Sequence, residues 1–201
     1  MLSKEGEFMR NKLESGQSLV EVIVASVVGI FVVSALTFTT IFSLRNANFA
    51  KTSAQATKLA QEGVESVRTG RDRNRAITGL GGDPTSWDGS SSSTCSGSDA
   101  KSDSIWCYQI DSTCSNQLNP NCYFNVISKG DVTNIGVLNN LGNGSSIPTL
   151  AEQIPPNFRR VVILSDTAAD YTTQKKVTVI VTWTDFAGSH ESRLITILRK
   201  L

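Results

Sequence analysis

The chain has a single histidine, His190, among its 201 residues, so no His-x-x-His metal pair is possible. No Gly-rich phosphate loop and no nucleophile elbow occurs either. The sequence therefore gives no catalytic set, and the expectation is a chain that is neither an enzyme nor dependent on a cofactor. Excess charge of one sign is also missing. Nineteen Lys and Arg stand against eighteen Asp and Glu, a net charge of +1, which gives no overall pull toward nucleic acid or anionic lipid. Proline is absent between Gln17 and Gly82, so nothing there compels a helix to break. Cysteine is absent before Cys95. Between Val22 and Leu44 no residue is charged.

That uncharged stretch is the first positive feature. Only 39% of the chain is hydrophobic, and much of that lies between Leu19 and Leu44. The polar remainder has material for one small core. A bilayer interior of about 30 Å needs roughly 20 helical residues, so the stretch can span one. A secretory signal has an apolar core of only about 7–15 residues and a small-x-small cleavage site after it, which "ALTFTTIFSLRN" does not offer. Basic residues flank both ends (Lys4, Arg10 and Lys12 before; Arg45, Lys51 and Lys58 after) and leave orientation nearly tied. The cysteines decide it. Cys95, Cys107, Cys114 and Cys122 all follow the apolar run, and disulfides persist outside the cytosol, so the C-terminal part is placed outside.

One acid, Glu21, stands at the mouth of this run, in "GQSLVE" from Gly16 to Glu21. A glycine, then a short apolar stretch with glutamate fifth after it, resembles the cleavage signature of type IV pilin and pseudopilin precursors. The "EVIVA" continuation, the single helix and the strand-rich end are closest to the minor subunits of such filaments. The resemblance covers about thirty residues. It implies cleavage by a membrane prepilin peptidase between Gly16 and Gln17, N-methylation of Gln17, and retention of the apolar helix. It also implies a role for Glu21 in assembly, pairing with the cationic amine of Gln17 on its own or a neighbouring subunit. Glycine suits a cleavage site because it leaves an extended substrate backbone unobstructed. A carboxylate in a bilayer costs about 2–3 kcal/mol and by default marks a function. The chain departs from the family in three respects. Gln17 stands where Phe or Met is usual, Glu5, Glu7 and Glu14 balance the basic residues of the leader, and the helix has no proline.

Helical periodicity continues past Leu44. Phe49, Ser53, Ala56, Leu59, Ala60, Gly63, Val64 and Val67 recur at steps of three and four, with Lys51, Gln55, Lys58, Glu62 and Glu65 opposite. One helix is expected from about residue 18 to about 69, roughly 75–80 Å long. Within its apolar half Ala25 and Gly29 form a small-xxx-small pair beside Ser26. The arginine-rich "RTGRDRNR", residues 68–75, suits a helix C-terminus, with Gly70 marking the end nearby. Binding of DNA phosphates is the other reading of those arginines.

Residues 79–120 have the composition of a loop. The cysteine spacings do not match the short pairs that hold zinc. Four cysteines allow three pairings, of which local closure, Cys95–Cys107 with Cys114–Cys122, is preferred. Asp131, Asn134 and Asn139 have calcium-compatible side chains but lack the spacing of an EF-hand, and turn chemistry explains them equally. No metal is expected. Three β-rich runs follow, at 158–164, 175–185 and 192–201, the last two joined by "FAGSHE" as a hairpin, with a fourth at 123–128. In the middle run Val177, Val179, Val181 and Trp183 should pack on the helix, while Thr178, Ile180, Thr182 and Thr184 should face solvent. His190 is expected as a solvated residue of the hairpin turn.

The expected fold is α+β, a long N-terminal helix on an antiparallel sheet with a disulfide-bearing loop. Its expected divisions are a leader (1–16), a membrane or filament-core helix (17–46), an amphipathic continuation (47–75) and an extracytoplasmic head (76–201). The resemblance implies a structural, membrane-stored subunit of a type IV pilus or of a secretion or competence pseudopilus. Its partners would be the peptidase, other pilin subunits, the assembly platform and the lipid bilayer. Its place would be the cytoplasmic membrane first and a periplasmic or cell-surface filament later. The alternative from another class is a single-pass surface protein whose disulfide-stabilised head binds a ligand.

Overall fold

The computed structural model describes residues 4–73, 75, 77–78, 80, 109–114, 118, 120–127, 135–167 and 173–200, with side chains from residue 19 onward except 112, 113 and 127. The first element, α1 (Lys4–Asp72), carries Arg71 in its last turn. The chain forms two compact units, Met1–Lys51 and Thr52–Leu201.

In the second unit the strands are β1 (Ile77–Thr78), β2 (Asn121–Ile127), β3 (Val137–Gly144), β4 (Glu152–Ile154), β5 (Phe158–Asp166), β6 (Gln174–Asp185) and β7 (Gly188–Arg199), with a one-turn helix, α2 (Ile110–Thr113), before β2. The sheet order is β1-β3-β2-β5-β6-β7, with β4 paired to β5. All pairings are antiparallel except β1 with β3. The fold is α+β. β4 bonds the Phe158–Arg160 end of β5 and β2 bonds the Val162–Leu164 end. Because β6 occupies the other side of β5 throughout, β2 and β4 lie end to end along one edge of it.

The helix lies on the sheet through a face of small residues. Ala56, Ala60, Val64 and Val67 share one buried cluster with Val177, Val179, Val181 and Trp183. Steps of three and four put the helical residues on one stripe, and alternation puts the four β6 residues on one face. Two glycines in the stripe set how closely the elements approach. A Cβ at Gly63 would lie 2.8 Å from Val179 Cγ1 and 3.2 Å from Arg160 Cδ, and one at Gly70 would lie 2.3 Å from the carbonyl oxygen of Gly136. Gly70 therefore marks a backbone-to-backbone contact near the helix end, which the structure places at Asp72.

The opposite face of the sheet departs from the simple alternation. Thr184 is exposed, but Ile180 and Thr178 are buried, at 2% and 7% exposure. Ile180 joins Tyr123, Val161 and Ala151, with Ile147 packed against them. The cause is residues 145–151, which fold back over this face. Asn125 holds them at both sides, its Nδ2 donating to Leu150 O and its Oδ1 accepting from Glu152 N, each at 2.8 Å. Arg159 donates to Thr149 O at 2.6 Å. The β6–β7 turn is also tighter than its sequence suggests. Asp185 pairs directly with Gly188, whose φ of +130° suits glycine. His190 consequently lies within β7 rather than in the turn, stacked on Trp183 and 2.9 Å from Asp185 Oδ1. Inside the stretch expected to be loop, α2 forms and buries Ile110 completely.

One cation ties the two layers together. Arg160 on β5 is 2% exposed, grips Glu152 with Nε at 2.9 Å and Nη2 at 3.1 Å, and donates from Nη1 to the Leu59 carbonyl of α1 at 3.1 Å. Glu62, 48% exposed, stands farther off at 3.8 Å. Removing one partner of a buried pair costs about 3–5 kcal/mol, whereas an exposed pair contributes about 1 kcal/mol or less. Urea unfolding should therefore show Arg160→Met losing about 3 kcal/mol and Glu62→Gln less than about 1 kcal/mol. Gly70→Ala should lose about 2–3 kcal/mol through overpacking, although alanine is the better helix former. Gly70→Ala at wild-type stability would mean that the Gly136 contact does not set the helix position.

Candidate functional site

The residues singled out by the N-terminal pattern lie on α1. Gly16 and Gln17 belong to its helical backbone, and Glu21 is exposed. Gln17 and Glu21 are four residues apart, a spacing that brings two positions to the same side of a helix. Behind Glu21 the apolar residues face outward, Val22 at 64%, Phe31 at 72% and Phe38 at 73% exposure. The most apolar window has a mean hydropathy of 2.6 and no buried residue, so the helix is long and apolar enough to cross a membrane. That is consistent with a single-pass membrane protein.

The polar atoms of this stretch are suited to such surroundings. Ser26, Ser34, Thr37, Thr39 and Thr40 each donate a hydroxyl to the carbonyl four residues back, at 2.8–2.9 Å. In hydrocarbon no water supplies these bonds, so each hydroxyl must find a partner on its own helix or a neighbour. At Gly29 an added Cβ would meet nothing within 4 Å.

Two of the arginines after residue 67 are engaged locally. Arg68 pairs with Glu65 at 2.6 Å. Arg71 pairs with Asp72 at 2.7 Å and donates to the Arg199 carbonyl at 3.3 Å, where β7 ends. Asp131 and Asn134 lie outside the described residues, while Asn139 Oδ1 accepts a hydrogen bond from Thr78 at 3.1 Å. Among the described residues no group of three metal-ligating side chains comes together.

Cys114 and Cys122 form a disulfide with a Cα–Cα distance of 5.6 Å, and Cys95 and Cys107 lie outside the described residues. The bridge ties the end of α2 to the start of β2. Asn143 Nδ2 donates to the Cys114 carbonyl at 2.6 Å, fixing the same corner from β3.

A second polar group sits beside α2, and the sequence does not announce it. Lys175 and Asp166 are direct cross-strand partners in the β5–β6 ladder. Lys175 Nζ is in contact with Asp166 Oδ1, and their side chains are 0% and 6% exposed. Asp111 N–H donates to Asp166 Oδ2 at 3.1 Å, and Asp166 N–H donates to Asp111 Oδ2 at 3.1 Å. Burial pulls the Lys175 ammonium below the ordinary lysine pKa against the opposing pull of Asp166. Burial, with the nearby Asp166 carboxylate, pushes the Asp111 carboxyl up. Nothing in "LSD" or "QKK" separates these residues from solvated strand-end charges. Only the pairing register places one against the other.

No protein-family model matches the chain, and neither curated proteins nor solved structures show significant similarity to it.

Closing a loop of this size stabilises by about 2–3 kcal/mol in the chain-entropy account. Cys114→Ala/Cys122→Ala should lower the unfolding free energy by about that amount, and non-reducing digestion of the native protein should release the two cysteines on one linked peptide. Alkylation of both thiols in unreduced native protein would remove this bridge from the fold.

Proposed function

We propose that the chain is a structural subunit, of the minor kind, of a type IV pilus or a related secretion or competence pseudopilus. On this reading it is stored in the cytoplasmic membrane and enters the filament once its leader is removed. The observation that carries the reading is the position of Glu21. One carboxylate, five residues after Gly16, opens an otherwise uncharged helix surface that is wholly exposed from Val22 to Leu44. An anchor has no use for a charge there. A subunit whose helices bundle does, because the cationic amine created at Gln17 needs a partner where water is scarce.

The other parts have consistent roles. The apolar half of α1 holds the precursor in the bilayer and later supplies the filament core. The second unit presents the polar, disulfide-bearing head outside the cytosol. A prepilin peptidase, other pilin subunits, the assembly platform and the bilayer are the partners of this proposal. Helical backbone at Gly16 must open for a peptidase to reach it, and glycine weakens a helix by about 1 kcal/mol relative to alanine at such a position.

Two measurements test the reading. Mass spectrometry of protein from native membranes should find an N-terminus at Gln17. A simple anchored surface protein would keep its first sixteen residues, and peptides from 1–10 on the mature protein would defeat the proposal. Glu21→Gln keeps the shape and removes the charge, which makes bilayer residence easier. It should reach the membrane and be cleaved normally, yet its content in sheared filaments should fall several-fold. Incorporation equal to wild type would leave Glu21 without a role in assembly.

A further inference from the structure

The group at Lys175, Asp166 and Asp111 is built for more than charge balance. An ion pair buried this deeply stabilises little by itself, because desolvating both charges offsets their attraction. Here the amine and the carboxylate are in contact, shielded from solvent and fixed by a cross-strand register. A second carboxylate belongs to the residue whose amide holds the other oxygen of the first. We propose that Lys175 and Asp166 condense to an intramolecular isopeptide bond, with Asp111 serving the proton transfers.

The chemistry balances on these groups alone. A proton passes from the Lys175 ammonium to Asp166 Oδ1, leaving an amine against a carboxylic acid. Loss of both charges is what a desolvated site favours. Nζ then adds to Cγ, and negative charge grows on Oδ2, where the Asp111 amide already donates at 3.1 Å. The Asp111 carboxylate takes the second proton from Nζ and returns it to the Oδ1 hydroxyl, which leaves as water while the carbonyl re-forms at Oδ2. The Nζ–Cγ bond forms and the Cγ–Oδ1 bond breaks. Ammonium and carboxylate become amide and water, with no change of oxidation state and no other reactant. Asp111 is only partly covered and reaches solvent, so the water has a way out. The reaction needs no substrate binding, since the register already holds amine and carboxyl together.

Mass spectrometry of the full chain, purified from membranes in detergent, reads the bond directly. Trypsin does not cleave after an acylated lysine. The expected product is therefore peptide 161–176, lighter by one water, with no backbone fragments separating Asp166 from Lys175. A peptide of full mass ending at Lys175 overturns the proposal. So does loss of water with Lys175 still cleavable, because that marks a cyclic imide at Asp166. Asp111→Asn should leave the Cys114–Cys122 bridge in place and return 161–175 at full mass. Bond formation in that variant as complete as in wild type would overturn the role given to Asp111.

Discussion

The separation between α1 and the sheet is the constraint on which the head depends. With side chains of ordinary size at positions 63 and 70, Val179 and the Gly136 carbonyl would have to move away. The valines of β6 would then lose contact with Ala56 and Ala60, and a buried surface in poor contact forfeits much of its dispersion energy. Close approach has a further consequence, because it brings the Leu59 carbonyl within reach of a side chain from β5. Arg160 donates to it while holding Glu152 in a two-bond clasp. A guanidinium suits this place, since its planar fork serves a carboxylate and a carbonyl at once. The small residues set the distance, and Arg160 uses it.

A one-turn helix has little stability of its own. What keeps α2 in place is three attachments within five residues: Ile110 fully buried in the core, Asp111 in reciprocal hydrogen bonds with Asp166, and Cys114 bridged to Cys122. Each attaches to a different strand or to the core between them. The corner where β2, β3 and β5 meet is thereby fixed by a segment whose composition is that of a loop.

Legibility in the sequence followed the range of the interactions. The helix, β5, β6, β7 and the valine face of β6 were legible because their signals are local, periods of 3.6 and 2 in apolar residues. β3 was not. "VLNNLGNG" combines Asn and Gly, which propensity disfavours in strands, and it is held by pairing with β1 and β2 and by Asn140, whose Oδ1 takes the Gly142 amide at 3.0 Å. Burial of Ile180 was missed for a related reason. Strand alternation tells which side a residue faces, but not that residues 145–151 return to cover that side. His190 was misplaced because the six residues of "FAGSHE" were taken as the turn, which is only two residues long, Phe186 and Ala187. Of the candidate site, Gly16, Gln17 and Glu21 were legible as a spacing along one helix, whereas Lys175, Asp166 and Asp111 meet only through long-range pairing.

The two parts of α1 solve the same problem in different surroundings. A polar atom removed from water must be given a partner. In the first unit, the hydroxyls of Ser26, Ser34, Thr37, Thr39 and Thr40 are satisfied by the helix that carries them. In the second unit the helix hydroxyls of Thr57, Ser66 and Thr69 keep the same bond to the carbonyl four residues back, but the charged groups under the sheet are satisfied across elements, as with Arg160 and Leu59 or Asp111 and Asp166. Self-satisfaction leaves a helix surface whose polar atoms need nothing from a particular neighbour, so it suits lipid and a bundle of like helices equally. Cross-satisfaction fixes one packing and no other. For the filament subunit proposed above, this division of polar chemistry would let one segment exchange lipid for protein while the remaining structure is kept. Glu21 is the exception within the first segment: an ionised carboxylate only accepts hydrogen bonds, so unlike the hydroxyls it cannot be satisfied by donating to the carbonyls of its own helix.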